Sequence, residues 1–381
     1  MNVLILRSNP IAPDPRVEKI ARVLVDQGYE VICLGWDRTA ALELVEERDG
    51  YQIRRLMIKA KFGSGIYNLP ALLRWQVRLL HWLWKHRQEY DLIHACDFDT
   101  VLPALLVCWA LQRHLIYDIF DFYADHLRRT PVLFKHAIRT LDLWVISKAD
   151  AVILVDESRQ IQIAGSHARK LLFIYNSPED VSSHLNGKTK GEEQPTGLRL
   201  AYIGLLQKER GLVEMLEILR RHPNWHLDMA GFGGDEVELR AEALKLSNVT
   251  WFGRVSYEQT LALSQAADVL FATYDPTIAN HRYSSPNKVF EAMMLGKPII
   301  VASDTNMDRI IQAEDCGLVV DYGDIQELDD ALTALCDDPS LRAKLGRNAR
   351  VAYENRYSWQ IMSQRLSDLY KDVTRAKGKS V

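Results

Sequence analysis

Short apolar segments alternate with longer segments of helical period along most of this chain, and this alternation restricts the fold more than any other feature. In the first half the strand candidates are Val3–Leu6, Glu30–Leu34, Ile53–Ile58, Leu92–Cys96, Leu115–Asp118 and Ala151–Val155. Between the first two, apolar residues from Val17 to Val25 follow the spacing of one helical face. Continuously apolar strands separated by helices predict a parallel sheet that is buried on both faces.

A polar segment rich in Gly, Ser and Pro interrupts the alternation at residues 179–197, which indicates a linker. The pattern then restarts with the strand candidates Leu198–Ile203, His226–Ala230, Val249–Phe252, Val269–Ala272, Pro298–Ala302 and Leu318–Val320. Helices are predicted at Glu209–Arg221, Glu258–Ala267 and Pro286–Leu295. We therefore expect an α/β protein with two doubly wound domains, at 1–178 and 198–355, that bind ligands where the carboxyl ends of both sheets meet at a shared crevice.

Composition excludes several classes of protein. The 381 residues exceed one ordinary core, and the net charge of −3 gives no general attraction for nucleic acid. The five cysteines form no CxxC pair, which is typical of a reduced protein that uses them as small core residues. No segment reaches the roughly 18 apolar residues of a membrane span, so we expect a cytoplasmic protein.

The segment YSSPNKVFEAMMLGKP, Tyr283–Pro298, carries the strongest chemical signal. Ser285 is a good N-cap and Pro286 a good first residue, so a helix is predicted whose N-terminus suits a diphosphate. Lys288 and Glu291 are i, i+3 neighbours that can hold a phosphate and a sugar diol together. Spacing alone leaves an alternative open, which is an ordinary surface ion pair on a capped helix.

The stretch NKVFEAMMLGKPIIVAS closely resembles the signature helix of the retaining family-4 glycosyltransferases, which have the two-domain GT-B fold. AYIGLLQKERGLVEML, MAGFGG and NVTWFGRVSYEQTLALSQAADVLF are similar to further segments of that family's second domain. SNPIAPDPRVEKIARVLVDQGYEV, EYDLIHACDFDTVLPALL and HLIYDIFDFYADH match its first domain more loosely. RYSWQIMSQRLSDLY resembles the closing helix, which implies that residues 356–381 return to the first domain.

The resemblance implies a nucleotide-sugar donor, UDP-glucose or a related UDP-hexose, and transfer with retention to a saccharide or lipid-linked saccharide in cell-envelope or exopolysaccharide assembly. It assigns the ribose to Glu291 and the phosphates to Arg210. Lys288, from its place at the start of the predicted helix, is expected to stabilise the leaving diphosphate with Arg210. The other expected donor contacts are Tyr283, Ser284, Ser285, Pro286, Asn287, Gly204, Gly231, Gly253, Arg254 and Val255. No cofactor and no metal ion are expected.

In the first domain, Asp14 can cap a helix that starts at Pro15, and Arg16 is then expected beside the donor phosphates; the alternative is a solvated first-turn residue. Asp97, Asp99 and Asp121 follow predicted strands and are expected to contact the acceptor, with Asp121 at the reacting centre, although each residue type also suits turns and caps. A metal site at Asp97-Phe-Asp99 is disfavoured because transferases with such a triplet have a different fold.

Three polar positions of the family pattern are altered: Tyr283 replaces a glutamate, Phe120 a histidine, and Leu205 or Leu206 an arginine. These departures keep open the alternative of a non-catalytic nucleotide-sugar-binding subunit. A UDP-sugar 2-epimerase is a further alternative because it shares the two-domain architecture, but its set of carboxylates and histidine is not evident here.

The segment Leu69–Arg87 reads as a helix with leucines on one side and with Trp75, Trp82 and basic residues on a face that can rest on a membrane. The alternative is a core helix with large apolar contacts.

Overall fold

The computed structural model describes residues 1–60, 68–126, 131–182 and 197–375. The chain divides into two compact units: Met1–Tyr175 with the C-terminal residues from Met362 onward, and Asn176–Ile361. Both units are α/β with parallel sheets, so the predicted fold class is confirmed. Most of the predicted linker lies outside the described residues.

The sheet of the first unit has the strand order β3-β4-β2-β1-β5-β6-β7-β8, and β3 alone is antiparallel to its neighbour among the described pairs. Its strands are β1 (Asn2–Arg7), β2 (Glu30–Asp37), β3 (Val45–Arg48), β4 (Tyr51–Met57), β5 (Leu92–Cys96), β6 (His114–Ile119), β7 (Ala151–Leu154) and β8 (Leu171–Phe173). The edge strands β3 and β8 were not predicted, because β3 has the charged sequence VEER and β8 has only three residues.

The helices of this unit are α1 (Pro15–Asp26), α2 (Leu69–Lys85), α3 (Phe98–Leu111), α4 (Tyr123–His126) and α5 (Val132–Ile146). The predicted Asp14 cap is confirmed, since its carboxylate accepts from the Val17 amide and Pro15 opens the helix. α2 packs against α3, and α3 packs against α5. Their inner sides and one face of the sheet form a single apolar core.

The predicted membrane face of α2 is wrong in one respect. Trp75 is fully buried, stacks on Trp36 with 5.1 Å between ring centroids, and donates from Nε1 to the Asp99 carbonyl oxygen. Trp82 is partly buried beside His86. The indole of Trp75 packs inward because Leu79 and Leu83, at i+4 and i+8, continue the same buried face.

The opposite face of the sheet carries a polar network. Arg16 of α1 donates to Asp118 on β6, and His94 on β5 lies 3.3 Å from the same carboxylate through Nε2. The other ring nitrogen of His94 lies 2.7 Å from the Tyr370 hydroxyl. Tyr370 belongs to the last helix, Trp359–Arg375, so this network fixes the C-terminal residues onto the first unit.

The sheet of the second unit has the order β11-β10-β9-β12-β13-β14, with every described pair parallel. Its strands are β9 (Arg199–Leu205), β10 (His226–Phe232), β11 (Val249–Gly253), β12 (Val269–Ala272), β13 (Ile299–Ala302) and β14 (Gly317–Val320). Its helices are α6 (Leu212–Arg221), α7 (Glu236–Ala243), α8 (Tyr257–Ala266), α9 (Ala279–Arg282), α10 (Asn287–Leu295), α11 (Met307–Glu314), α12 (Ile325–Asp337) and α13 (Pro339–Ala352). The last helix of the chain is α14 (Trp359–Arg375).

The predicted helix Glu209–Arg221 is interrupted. A 3₁₀ turn at Lys208–Arg210 ends at Gly211, which has φ +71°, and α6 begins only at Leu212. A side chain on Gly211 would also collide with Thr273. Both the positive φ and the lack of space therefore require glycine at this position. Arg210 therefore lies in a turn rather than on a helix.

The five cysteines are free, and four of them are buried. Among the described residues, no helix is long and apolar enough to cross a membrane.

Candidate active site

The N-terminus of α10 forms one side of the candidate site in the second unit. Pro286 is the N-cap, with ψ +145°, and α10 starts at Asn287. The predicted Ser285 cap is therefore wrong by one residue, since the extended backbone of Pro286 delays the helix. The first amides of α10 have no partner within the helix and point outward from its start, as in an anion site.

Lys288 lies in the first turn of this helix. Its Nζ atom sits 3.4 Å from the centroid of the Tyr202 ring and next to Gly204 on β9. The Tyr202 hydroxyl donates to the Leu205 carbonyl oxygen at 2.7 Å, which holds the ring in place. The Nζ atom is buried and has no hydrogen-bond partner. The alternative expectation, a surface ion pair between Lys288 and Glu291, is therefore wrong.

The electrostatic environment of Lys288 disfavours its charge. Burial, and next the nearby Arg210 guanidinium, hold the pKa of Lys288 well below its usual value, while Glu291 partly offsets them. An anion bound at this position would raise the pKa of Lys288 and restore its ammonium form.

Arg210 lies on a second aromatic ring. Its guanidinium carbon is 3.9 Å from the centroid of Tyr274, which follows β12. The Nε atom of Arg210 is buried without a hydrogen-bond partner, as is the Thr273 hydroxyl oxygen.

Unpaired buried polar atoms are rare in proteins, because each one loses its hydrogen bonds to water without replacement. Here the Lys288 Nζ, the Arg210 Nε and the Thr273 hydroxyl oxygen share this condition around Gly204 and Gly211. The arrangement is suited to a ligand that brings several negative oxygens.

Glu291 lies one turn further along α10 and is 7% exposed. The Tyr257 hydroxyl, at the start of α8, hydrogen-bonds to its carboxylate. Burial and the neighbouring Glu291 charge raise the pKa of Tyr257, so this phenol stays protonated and acts as a donor.

The remaining predicted donor residues occupy the carboxyl ends of neighbouring strands or the turn before α10. Gly204 and Gly231 are directly paired on β9 and β10, and Gly253 ends β11 with φ +66°. Arg254 lies 4.7 Å over the Phe232 ring, and Val255 follows it as a partly buried residue. The turn from Tyr283 to Ser285 joins α9 to α10, and the Ser285 carbonyl oxygen accepts from Asn176.

In the first unit, Asp97 follows β5 with φ +64° and accepts from the backbone amides of Phe120 and Asp121, which follow β6. Arg7, at the end of β1, donates to Asp97 and to Asp14. Burial raises the pKa of Asp97 to about 6, and Arg7 opposes this shift. The structure therefore brings Asp97 and Asp121 together.

Asp99 is also near this group, and burial raises its pKa. One of its carboxylate oxygens is buried without a hydrogen-bond partner. The Asp121 side chain is 42% exposed and accepts from Arg159 at 3.0 Å. Among the described residues, no group of three or more His, Cys, Asp or Glu side chains could hold a metal ion.

Arg16 has a different environment from the one expected. It is 7% exposed, donates to Asp118 at 2.9 Å and to the Ile174 carbonyl oxygen at 2.7 Å, and lies over the Phe120 ring. Its role beside donor phosphates stays a prediction.

Several residues of these groups were missed in the sequence, namely Arg7, Arg159, Tyr202, Tyr257 and Tyr274. Arg7 carried a signal, since a cation that directly follows an apolar first strand lies at the carboxyl end of the sheet. The tyrosines carried none, because their contacts with Lys288, Arg210 and Glu291 are tertiary.

Two family models match the chain. Residues 12–176 match the model described as "Glycosyl transferase 4-like domain", and residues 187–352 match "Glycosyl transferases group 1". The two matched regions follow one another and together span most of the chain.

Curated relatives and solved structures agree with these matches. A D-inositol 3-phosphate glycosyltransferase of Corynebacterium jeikeium is 27% identical over 88% of this chain and 85% of that protein. A GDP-mannose-dependent mannosyltransferase of Corynebacterium glutamicum is 29% identical over 42% of each chain, so the match spans under half of its length. Sucrose-phosphate synthase of Thermosynechococcus elongatus has a TM-score of 0.77 at 17% identity, with 99% of this chain and 100% of that chain covered. Anabaena HepE with UDP and glucose has a TM-score of 0.72 at 16% identity, with 97% and 99% covered. The fold is GT-B.

Proposed function

We propose that this chain, a glycosyltransferase of group 1, transfers a hexose from a UDP-sugar to an acceptor hydroxyl with retention at the anomeric carbon. The observation that carries the proposal is the pair of buried, unpartnered nitrogens on Lys288 and Arg210 beside the start of α10. A diphosphate offers the charge and the acceptor oxygens that these groups lack.

The nucleoside of the donor is proposed to bind beside this pair, with Glu291 accepting from the two ribose hydroxyls. The Tyr257 hydroxyl bond supports this role, because it fixes the carboxylate before the ligand arrives. Uracil is favoured as the base by the UDP and UDP-glucose complexes of HepE. The GDP-mannose dependence in the name of one relative makes guanine the main competitor.

In the reaction, the bond between the anomeric carbon and the diphosphate oxygen breaks as the acceptor oxygen bonds to the same face of that carbon. The acceptor proton passes to the leaving phosphate oxygen. Negative charge grows on the diphosphate, and Lys288, Arg210 and the α10 amides stabilise it. Because two protein cations neutralise the leaving group, the proposed mechanism requires no metal ion.

The acceptor is proposed to be a saccharide or lipid-linked saccharide, as in cell-envelope or exopolysaccharide assembly. Asp97, Asp99 and Asp121 support this proposal, since carboxylates accept hydrogen bonds from sugar hydroxyls. The unpaired carboxylate oxygen of Asp99 is the best single candidate for such a bond.

A thermal-shift screen of the purified chain against UDP, GDP, ADP and their hexose conjugates, with and without EDTA, tests the donor. A ligand at 100 times its dissociation constant adds about 2.7 kcal/mol to the free energy of unfolding, which gives a clear rise in melting temperature. We expect UDP and one UDP-hexose to stabilise the wild type, with no effect of EDTA.

Glu291→Ala should lose this stabilisation, whereas Glu258→Ala, a change at an exposed glutamate on α8, should keep it. Stabilisation by GDP alone would contradict the assignment of uracil. Stabilisation by UDP without transfer to any acceptor or hydrolysis of the donor would favour a binding subunit without catalytic activity.

A further inference from the structure

The outer sides of three adjacent helices in the first unit are strongly apolar. We call them together the α2-α3-α5 surface, and its exposed large hydrophobic side chains are Leu69, Leu73, Val77, Leu80 and Trp84 on α2, Leu106 and Trp109 on α3, and Val132, Leu133, Phe134, Leu141 and Trp144 on α5. Val77 is 68% exposed and Leu133 is 84% exposed. Trp109 and Trp144 meet edge to face at 5.4 Å, so the surface continues from α3 to α5.

This exposure is not a general property of the unit. On the other face of the sheet, neither α1 nor α14 exposes a large hydrophobic side chain along its described length. Monomeric soluble proteins rarely expose contiguous apolar areas of this kind, and where they do, the area marks an interaction site.

The apolar residues of α2 form a regular stripe. Leu73, Val77, Leu80 and Trp84 are separated by four, three and four positions, which keeps them on one side of the helix. The buried residues Trp75, Leu79 and Leu83 lie on another side, so α2 is apolar toward the core and again toward the outside.

A basic stripe runs beside the apolar one. Arg74, Arg78, His81 and Lys85 are all exposed, and each follows a member of the apolar stripe by one residue. Lys135 and Arg139 add positive charge on α5. The only carboxylates within the three helices are Asp99 and Asp142, and neither is exposed.

We propose that the α2-α3-α5 surface docks the protein on a bilayer that contains anionic lipids. The apolar stripe, Trp84 and Trp109 would enter the boundary between head groups and acyl chains, and the basic stripe would lie among the anionic head groups. A second copy of this chain is a poorer occupant, because a two-fold interface would bring the same basic stripe against itself. This proposal is independent of the transfer reaction.

Vesicle sedimentation with the full-length chain tests the proposal, using phosphatidylcholine alone and phosphatidylcholine with an equal share of phosphatidylglycerol. We expect binding to the mixed vesicles that weakens as salt is added, and little binding to phosphatidylcholine alone. Leu73→Ser/Val77→Ser/Trp84→Ser should weaken binding by about tenfold or more, since each change removes an inserting side chain. Arg74→Gln/Arg78→Gln should weaken it by a smaller factor and remove the salt dependence in part.

The matched control is Val237→Ser/Leu244→Ser, which removes two side chains of the second unit that are 86% and 64% exposed. This variant should bind like the wild type. Failure of the wild type to bind mixed vesicles, equal binding to both vesicle types, or equal loss in the control would overturn the proposal. The proposal would also be overturned if the wild type were a dimer in light scattering that does not bind vesicles, and if the triple variant were a monomer.

Discussion

In the first unit Arg7 and Arg16 are each held by carboxylates, whereas in the second unit Lys288 and Arg210 rest on tyrosine rings and keep buried nitrogens without hydrogen-bond partners. A paired arginine has already exchanged water for a carboxylate and gains little from a further anion. A basic side chain on a ring keeps a nitrogen for a ligand, and the ring face stabilises the positive charge that side chain carries when an anion is bound. The second unit is therefore prepared for an anion, and the first unit presents carboxylates to neutral hydroxyls.

The largest expected effect is on turnover. Lys288→Ala should lower kcat by about 100-fold to 1000-fold, because it removes one charged donor from the leaving diphosphate. Steady-state kinetics with the UDP-hexose identified by thermal shift provides the measurement. Lys245→Ala, at an exposed lysine of the same unit, should leave kcat unchanged. Full activity of Lys288→Ala would show that Lys288 does not stabilise the leaving diphosphate. The difference in cation environment between the two units would then have no role in turnover.

A smaller effect concerns the stability of the first unit. Burial raises the pKa of Asp142 to about 7. Its Oδ1 atom accepts from the Tyr117 hydroxyl at 2.9 Å, and its Oδ2 atom is buried without a hydrogen-bond partner. Since the folded pKa exceeds the unfolded value, the folded state binds the proton more tightly. The stability contributed by the protonated acid is present below about pH 4 and is lost as the pH rises to about 7.

Asp142→Asn keeps an acceptor for Tyr117 and cannot ionise. We expect it to gain about 1–2 kcal/mol more stability at pH 8 than at pH 5, relative to the wild type. Thermal unfolding at the two pH values measures the difference. The control is Asp26→Asn, at an exposed aspartate of the same unit. An equal gain of Asp142→Asn at both pH values would contradict the assignment.

The smallest effect is on protons taken up by the second unit. Because the pKa of Lys288 is depressed in the empty site and a diphosphate raises it, UDP should bind with uptake of up to one proton, and its affinity should fall as the pH rises above the depressed pKa. Calorimetry in buffers of different ionisation enthalpy measures this uptake. Lys288→Met should abolish it and Lys245→Met should not; the same uptake in both variants would assign the proton to another group.

Much of the fold was predictable, because buried parallel strands are visible in the sequence as continuous apolar segments. Leu92–Cys96 and Val269–Ala272 begin and end where the sequence predicts. The proximity of Lys288, Glu291 and Arg210 in the second unit was predictable, since all three stand in recognisable motifs; their role in donor binding stays a prediction. The rest depends on tertiary contacts. Nothing near Tyr202 or Tyr274 in the sequence indicates which cation each ring will hold, and nothing around Trp75 indicates which of two apolar sides of α2 will be covered.

The link from Tyr370 through His94 to Asp118 has a consequence for how the chain is made. Residues 1–175 of the first unit leave the ribosome before the second unit, yet the hydroxyl that meets the buried His94 ring is synthesised after the second unit. Until then, the buried His94 ring of the nascent first unit lacks the Tyr370 hydroxyl beside it. Premature termination anywhere in the second unit would thus release a first unit that has all of its described strands but no hydroxyl partner for the buried His94 ring.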